Sequence, residues 1–468
     1  MSPRFIVAVL IGGLVAITCR WSGRGGTALP GLVAERIDPN FVEILTNLFV
    51  SEAILITGTN GKTTTARILS SIFEESGSLV VHNREGSNLM RGIGSALLSS
   101  IPKLWGTSRT SNGFHIKPHK AIALMEVDEA VLPYAVSALK PKAIVFTNLF
   151  RDQLDRYGEI EHITNLWCQA IDKLPSDTIL VLNADDPSIS ELSFSHQGPV
   201  HWYGIEDPSI ANSHDAPVDA RWCSNCENPF LYELTISSHL GWWRCESCGR
   251  VRSQPDTCAL NIRIGPEQAY FFVPEQGPVD LPFSGTYNVF NALAAISAAR
   301  TFALSPEIIQ AGIGKVKSAF GRQELINYQG RRLHIFLTKN PAGANEVLNF
   351  IASTTESPSI AIILNDGIAD GRDVSWIWDV DYERLSGIVQ RCWASGNRAS
   401  DMALRFHYAE WPNPEATIPQ VGKLLDQISE DTLPDEEIYL LSTYTALLEL
   451  YSELKRRGAT ATSWWSKS

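Results

Sequence analysis

Gly58-Thr59-Asn60-Gly61-Lys62-Thr63-Thr64-Thr65 follows the apolar run Ala53–Thr57 and leads into a helical stretch ending at Gly77. A strand, a glycine turn, then Lys and Thr opening a helix aims backbone N–H groups and a helix N-terminus at phosphate oxygens. There Lys62 reaches the outer phosphates and the Thr63 hydroxyl is a magnesium ligand. Gly58, Thr59, Asn60, Gly61, Lys62, Thr63 and Thr64 are therefore the candidate nucleotide-binding residues. The general eight-position phosphate loop needs glycine at position 56, where this chain has Ile56; the match is to a shorter variant, Gly-Thr-Asn-Gly-Lys-Thr-Thr. Such a loop also needs a metal-binding acid at a neighbouring strand end. Glu126 and Asp128 close the run AIALMEVDE, and Glu126 is the magnesium candidate. Thr147-Asn148 and Asn183-Ala184-Asp185-Asp186 end two further strands and add polar groups at the same edge.

A second constellation is Cys223-x2-Cys226, eighteen residues, then Cys245-x2-Cys248. Two knuckles at this separation bring four thiolates to one point, which suits tetrahedral Zn²⁺ in a closed structural site. A redox C-x-x-C is the rival, disfavoured by two copies in so small a module. Cys19, Cys168, Cys258 and Cys392 are scattered, and none sits in a recognisable nucleophile context.

The elements that position these residues alternate. Strand-like runs at 53–57, 120–127, 142–147 and 178–182, with helical patterns between them, indicate an α/β fold with a parallel sheet covered on both faces. The character changes at about 215–256, where the paired cysteines and several tryptophans read as a small insertion. After residue 318 a second α/β unit follows, with strands near 333–337, 360–364 and 438–441. The expected organisation is an N-terminal helical segment 1–50, a central ATPase domain 51–318 and a C-terminal Rossmann-like α/β domain 319–468. Hydrophobic residues at 44% and charged residues at 19% support several buried cores and exclude a disordered or coiled-coil chain. The formal net charge of −12 argues against a nucleic-acid partner. The run Phe5–Thr18 has 14 residues, short of a bilayer span, and lacks a cleavage site. It reads as a buried or interfacial helix of a cytoplasmic protein, with a signal or membrane anchor as the alternative; the sequence leaves peripheral contact with the inner face of a membrane open.

The phosphate loop, the acid-ended strand and the polar strand ends, in this order, resemble the central ATPase domain of the Mur ligase superfamily, whose members work through acyl phosphates. Thr286-Tyr287-Asn288-Val289-Phe290-Asn291-Ala292-Leu293-Ala294-Ala295 is similar to the family's adenine-contacting helix, and Phe320-Gly321-Arg322-Gln323-Glu324 to its R-x-E segment. The resemblance implies that Asn288 and Asn291 contact adenine, that Arg322 reaches the transferred phosphate, and that Asp185 is a weaker nucleotide candidate. Two departures narrow the choice. Asp152-Gln153 stands where Asp-His is common, and the position of a carbamylated lysine falls near Trp167 and Cys168. No room precedes residue 53 for a domain that holds a UDP-sugar.

A Mur-type ATPase without that domain but with a four-cysteine zinc ribbon resembles the MurT family. Gly25-Gly26-Thr27-Ala28-Leu29-Pro30-Gly31, Lys339-Asn340-Pro341-Ala342-Gly343, the stretch Asn365–Asp379 and Ser442-Thr443-Tyr444-Thr445-Ala446-Leu447 extend the match over nearly the whole chain. The resemblance implies the synthetase subunit of lipid II isoglutaminyl synthase. It would use ATP, Mg²⁺ and Zn²⁺ in a heterodimer with a GatD-like glutaminase and amidate the D-isoglutamate α-carboxylate of lipid II. The C-terminal domain would lend an Asp to the partner's Cys-His pair: Asp370 or Asp373, with Asp379 behind. The rivals are a stand-alone amino-acid ligase of the folylpolyglutamate type and a zinc-ribbon binding protein with a degenerate ATPase.

Overall fold

A computed structural model describes residues 2–21, 28–83, 87–110, 113–118, 120–151, 160–211, 219–265, 267–316, 322–414 and 417–461. Apart from short loop excursions, the chain forms one compact unit up to Val316 and a second from Lys317 onward.

The first unit is built on a nine-stranded sheet. From one edge its strands are Val80–His82, Ala121–Glu126, Val50–Thr57, Ala143–Phe146, Ile179–Asn183, Val200–Ile205 and Thr257–Ile264, then Ala269–Val273 and Gly277–Leu281. The first seven run parallel and the last two complete an antiparallel edge. The central strands read as unbroken apolar runs because helices bury them on both faces. Helices Lys62–Glu75, Thr286–Thr301 and Pro306–Gly314 pack together as one layer. Helices Phe41–Phe49, Met90–Leu104, Leu132–Leu139 and Ile160–Ile171 form the other. The N-terminal helices Pro3–Trp21 and Leu29–Ile37 join this unit against Met90–Leu104. Gly31 permits that crossing: a Cβ there would stand 1.9 Å from the Arg91 carbonyl oxygen, while the Gly31 amide donates to Ser95 Oγ at 2.7 Å.

The strand order fixes the site. Chain leaves Val50–Thr57, crosses to the edge strand Val80–His82, returns to Ala121–Glu126 on one side, then continues to Ala143–Phe146 on the other. The carboxyl end of Val50–Thr57 is thus a point where the strand order reverses, the usual seat of a ligand in an open parallel sheet. The register sets Ile56 beside both Glu126 and Val145.

The second unit has a seven-stranded sheet in the order Thr417–Ile418, Arg391–Ser395, Ser359–Ile363, Glu437–Ser442, Arg331–Leu337, Arg322–Tyr328 and Thr460–Ala461. The first five strands are parallel and the last two antiparallel. The period of two sends Ile360 and Ile362 to one core with Tyr382 and Phe406, and Ala361 and Ile363 to another with Trp393 and Leu447. The expected junction at 318/319 lies outside the described residues.

Candidate active site

Lys62 opens the helix Lys62–Glu75, and Gly61 caps it at a φ of +87°, a left-handed conformation that favours glycine. A Cβ at Gly61 would also stand 2.0 Å from Asn291 Oδ1. The phosphate loop and the helix carrying the adenine candidates are therefore pressed together. Asn291 Nδ2 donates to Asn288 Oδ1 at 3.2 Å, and Asn288 Nδ2 to the Ser284 carbonyl at 2.7 Å. Asn60 is fixed from the other side: its amide donates to Asn148 Oδ1 at 2.8 Å and its carbonyl accepts from Thr147 Oγ1 at 2.7 Å. The Thr59 amide donates to the Asn148 carbonyl at 2.9 Å. Thr64 is buried in the first turn of the helix.

The Lys62 ammonium donates to the Gly58 carbonyl, to the Thr59 carbonyl at 3.3 Å and to Glu129 Oε1 at 2.8 Å. Lys62 and Glu129 are both nearly buried, so their attraction is only weakly screened. The Thr63 hydroxyl donates to Glu126 Oε2 at 2.9 Å, bringing together the two magnesium candidates chosen from the sequence. Asn83 orients that acid through its backbone, accepting from the Glu126 amide at 2.8 Å and donating to its carbonyl at 2.9 Å. Glu126 Oε1 and His82 Nε2 face each other at 3.5 Å, and both are buried with no hydrogen-bond partner. The Glu126 carboxylate, with one oxygen unpartnered, beside the Thr63 hydroxyl and the unpartnered His82 Nε2, fits a divalent cation. The residues that could hold it are Thr63 and Glu126, with His82 adjacent.

Glu129, His82 and Asn83 were not singled out in the sequence. Glu129 ends the run AIALMEVDE, where strand pattern alone does not tell a working acid from its neighbours. His82 and Asn83 sit by an edge strand of only three residues, too short for a periodic signal. Trp167, near the position expected for a carbamylated lysine, is fully buried and donates its indole N–H to the Glu129 carbonyl at 2.8 Å. Asp152 and Gln153 lie outside the described residues, as does the side chain of Arg322, whose backbone opens the strand Arg322–Tyr328.

Asp185 is placed differently from the nucleotide role expected for it. It is fully buried, with Oδ1 2.5 Å from Arg252 Nε and Oδ2 accepting from the Ile205 amide at 2.8 Å. Burial raises its pKa to about 6 against the opposing pull of Arg252. Its carbonyl accepts from the Gly241 amide at 3.0 Å, so Asp185 ties the cysteine module to the sheet. Trp243 Nε1 donating to the Ala184 carbonyl at 3.1 Å and Trp242 Nε1 to the Ile205 carbonyl at 3.0 Å complete the seam.

The cysteine module is a small ribbon with strands Leu231–Ser237 and Leu240–Arg244. Its knuckles repeat each other. The Cys223 amide donates to the Asn228 carbonyl at 2.8 Å and the Cys245 amide to the Arg250 carbonyl at 2.7 Å, with Glu227 and Gly249 at positive φ. The Asn228 amide lowers the Cys226 thiol to about 6, and the Arg250 amide lowers Cys248. The four sulfurs lie within 4.8 Å of one another, with Cys223 to Cys248 at 3.6 Å and Cys226 to Cys245 at 3.4 Å. A zinc tetrahedron with bonds of about 2.3 Å has edges of about 3.8 Å. All four cysteines are free of disulfides, and they fit the ion.

In the second unit, two stretches that were distinctive in the sequence meet. Asp370 is buried: Oδ1 accepts from the Thr445 amide at 2.7 Å, and Oδ2 accepts from the Gly367 amide at 3.1 Å and from the Thr445 hydroxyl. Thr443, at the N-cap of the helix Tyr444–Arg456, makes no side-chain cap. Asp370 supplies one from outside. Asp373 is exposed; its Oδ1 accepts from the Ser375 amide at 2.8 Å, and hydrogen bonding from the Ser375 side chain, then from that amide, holds its pKa below the usual carboxylate value. Asp379 is also exposed.

Comparison with known proteins agrees with this arrangement. Residues 56–225 match the Mur ligase middle domain, and residues 337–447 match the MurT ligase C-terminal family. The lipid II isoglutaminyl synthase (glutamine-hydrolyzing) subunit MurT of Streptococcus pneumoniae is 32% identical over 93% of this chain and 93% of its own length. The protein of the same name from Staphylococcus aureus is 32% identical over 86% of this chain and 87% of its own. Among solved structures, a pseudomurein peptide ligase type C from Methanothermus fervidus superposes with a TM-score of 0.67 at 22% identity, covering 89% of this chain and 81% of that one. A MurF ligase from Thermotoga maritima in complex with ADP superposes at 0.60 with 12% identity, covering 91% and 85%. Such structural likenesses show a common fold. The sequence relatives go further: this chain belongs to the MurT family of Mur-ligase-type enzymes.

Proposed function

We propose that the chain is the ATP-dependent synthetase subunit of a lipid II isoglutaminyl synthase, a carbon–nitrogen ligase. It converts the α-carboxylate of D-isoglutamate in the lipid II stem peptide to the carboxamide of D-isoglutamine. A carboxylate oxygen attacks the γ-phosphorus of ATP, ADP leaves, and the resulting acyl phosphate carries a good leaving group. Ammonia attacks the acyl carbon, inorganic phosphate departs, and the nitrogen loses a proton. The observation that carries this reading is the convergence of Lys62, Thr63 and Glu126 at the carboxyl end of Val50–Thr57.

Within that reading Lys62, aimed by Glu129, steadies the negative charge moving between the outer phosphates. Thr63 and Glu126 would hold a magnesium ion, which would supply charge neutralisation of the triphosphate. Asn288 and Asn291 belong to the adenine end, and Arg322 to the transferred phosphate. The four cysteines hold a structural zinc ion. Ammonia comes from a GatD-like glutaminase subunit, whose catalytic Cys-His pair is completed by Asp373. Asp373 is preferred to Asp370 because its carboxylate is exposed while that of Asp370 is consumed inside the fold. The exposed side chains of Ile368 and Trp378, on either side of Asp373 in sequence, suit a protein partner. The lipid-linked substrate sets the place of work at the inner face of the membrane.

The test is reconstitution. Purified chain, glutaminase subunit, ATP, Mg²⁺, glutamine and lipid II yield amidated stem peptide by mass spectrometry, and ammonium replaces the glutaminase with this chain alone. Absence of amidated product in both arms refutes the proposal; addition of an amino acid instead would assign the chain to the stand-alone ligases.

A further inference from the structure

Helix Pro3–Trp21 is apolar on every side, yet only one side is packed. Phe5, Ala8, Gly12 and Ala16 lie on the covered face. A Cβ at Gly12 would meet Leu98 at 2.8 Å and Ala34 at 3.2 Å, so the helix is seated directly on Leu29–Ile37 and Met90–Leu104. The opposite face carries Ile6, Leu10, Leu14, Ile17 and Trp21, spaced four, four, three and four residues apart, so they form one continuous stripe. Leu10 is 67% exposed, Leu14 63% and Trp21 90%. A helix that is apolar all round is ordinarily buried all round, and a stripe of this length is not a scatter of single residues.

Two features specify what covers it. The first acidic residue of the chain is Glu35, whereas Arg4, Arg20 and Arg24 precede it. Within a chain of net charge −12, the segment before Glu35 therefore carries three positive charges and no negative ones. Apolar side chains flanked by arginine, with a tryptophan at one end, match a helix lying in the headgroup region of an anionic leaflet. Spanning is excluded, because the packed face belongs to the protein core, and among the described residues no helix is long and apolar enough to cross a membrane. The substrate class supplies the second feature: a lipid-linked stem peptide is presented only at that surface.

We propose that the exposed face of Pro3–Trp21 docks the enzyme in-plane on the anionic inner leaflet and so brings the synthetase to its lipid-anchored substrate. The proposal rests on lipid II being the substrate. Docking two-dimensionally concentrates enzyme with substrate, whereas a water-soluble stem peptide gains nothing from it. The face and the chemistry fall on different segments: Leu10 and Leu14 are exposed on Pro3–Trp21, whereas the phosphate loop follows Val50–Thr57.

The test is flotation of the full chain, in complex with its glutaminase subunit, with vesicles of phosphatidylcholine containing about one third phosphatidylglycerol. The wild type co-floats at low salt and less so at high salt, while Leu10→Gln/Leu14→Gln partitions about tenfold more weakly. The same variant keeps its rate on a short-chain, water-soluble substrate analogue and loses rate on lipid II in vesicles. Wild type that stays with the soluble fraction overturns the proposal, as does a double variant that floats equally well. Loss of glutaminase binding with unchanged flotation overturns it too, assigning the face to the partner. Failure of amidation on the soluble analogue by the wild type would instead refute the enzymatic reading, leaving flotation to be judged on its own.

Discussion

Asp370 and Asp373 stand three residues apart in one loop, the first buried and bonded within the fold, the second exposed; the proposal that Asp373 serves the glutaminase therefore predicts opposite effects of replacing them. Replacing Asp370 by Ala removes the acceptor for the Thr445 amide at 2.7 Å, the Gly367 amide at 3.1 Å and the Thr445 hydroxyl. Loss of a helix cap costs about 1 kcal/mol, and stranding buried donors of a charged acceptor costs about 1.5–3 kcal/mol. Because the Thr445 amide enters both figures they do not simply add, and the expected loss, about 2–3 kcal/mol, is a large share of the stability of an ordinary domain. Asp373→Asn removes a charge from an exposed side chain that can keep its bond to the Ser375 amide, so stability shifts by no more than about 0.5 kcal/mol. Activity should divide the other way. Without the charge that orients a partner imidazole, glutamine-supported amidation falls by about 10³–10⁴-fold, as when the acid of a catalytic triad is neutralised. Ammonium-supported amidation by the same variant stays within about twofold of wild type. Urea denaturation of both variants, beside amidation assays with glutamine and with ammonium, reads all four outcomes. The reasoning is refuted if Asp373→Asn retains glutamine-supported turnover, or if Asp370→Ala unfolds at the wild-type midpoint.

Four further outcomes follow from the geometry. Lys62→Met lowers turnover by about 10²–10³-fold in ammonium-supported assays; a rate near wild type would remove Lys62 from the chemistry. Gly61→Ala forces a Cβ at positive φ against Asn291 Oδ1, so nucleotide affinity measured by calorimetry drops by about tenfold or more, and an unchanged affinity would show that the loop and the helix Thr286–Thr301 are not mechanically joined. The wild type is expected to carry one zinc equivalent by atomic absorption, and Cys223→Ser to lose it while sparing the circular dichroism of the second unit; full metal content in the variant would show that the four sulfurs do not act together. His239 is buried 3.3 Å from Asp186; burial alone would lower its pKa, and the carboxylate overrides this and raises it. Its contribution is therefore complete below pH 6.5 and fades as pH climbs through the raised value. The stability gap between wild type and His239→Gln, from urea titrations across pH 6 to 9, should narrow with rising pH; a widening gap reverses the assignment.

Much of the first unit could be read from the sequence because its strands are buried on both faces. Runs such as AILIT and KAIVFT can be little else when flanked by glycine turns and helical patterns. The phosphate loop was legible for a different reason: its chemistry depends on backbone amides and two adjacent side chains, all contiguous. What stayed hidden depends on contacts distant in sequence. Glu129 reaches Lys62 across 67 positions, and Asp370 reaches Thr445 across 75. Asp185 looked like one more acid at the catalytic edge, since nothing in Asn183-Ala184-Asp185-Asp186 announces that Arg252 will cover it. The stripe on Pro3–Trp21 was visible as hydrophobicity, but which half would be covered was settled only by the neighbouring helices.

Parallel neighbours in a sheet cannot be joined by a tight turn, so the path from Val200–Ile205 to Thr257–Ile264 must climb back along the strand before it re-enters. Elsewhere in such folds a helix makes that return; here the cysteine ribbon does. A zinc ion clasping the four sulfurs would pinch a long excursion into a short one and lower the entropy that must be surrendered to seat the last three strands. Unclasped, the edge from Thr257 to Leu281 would be the first part of the sheet to fray, and deleting the ribbon outright would leave those strands with no route home.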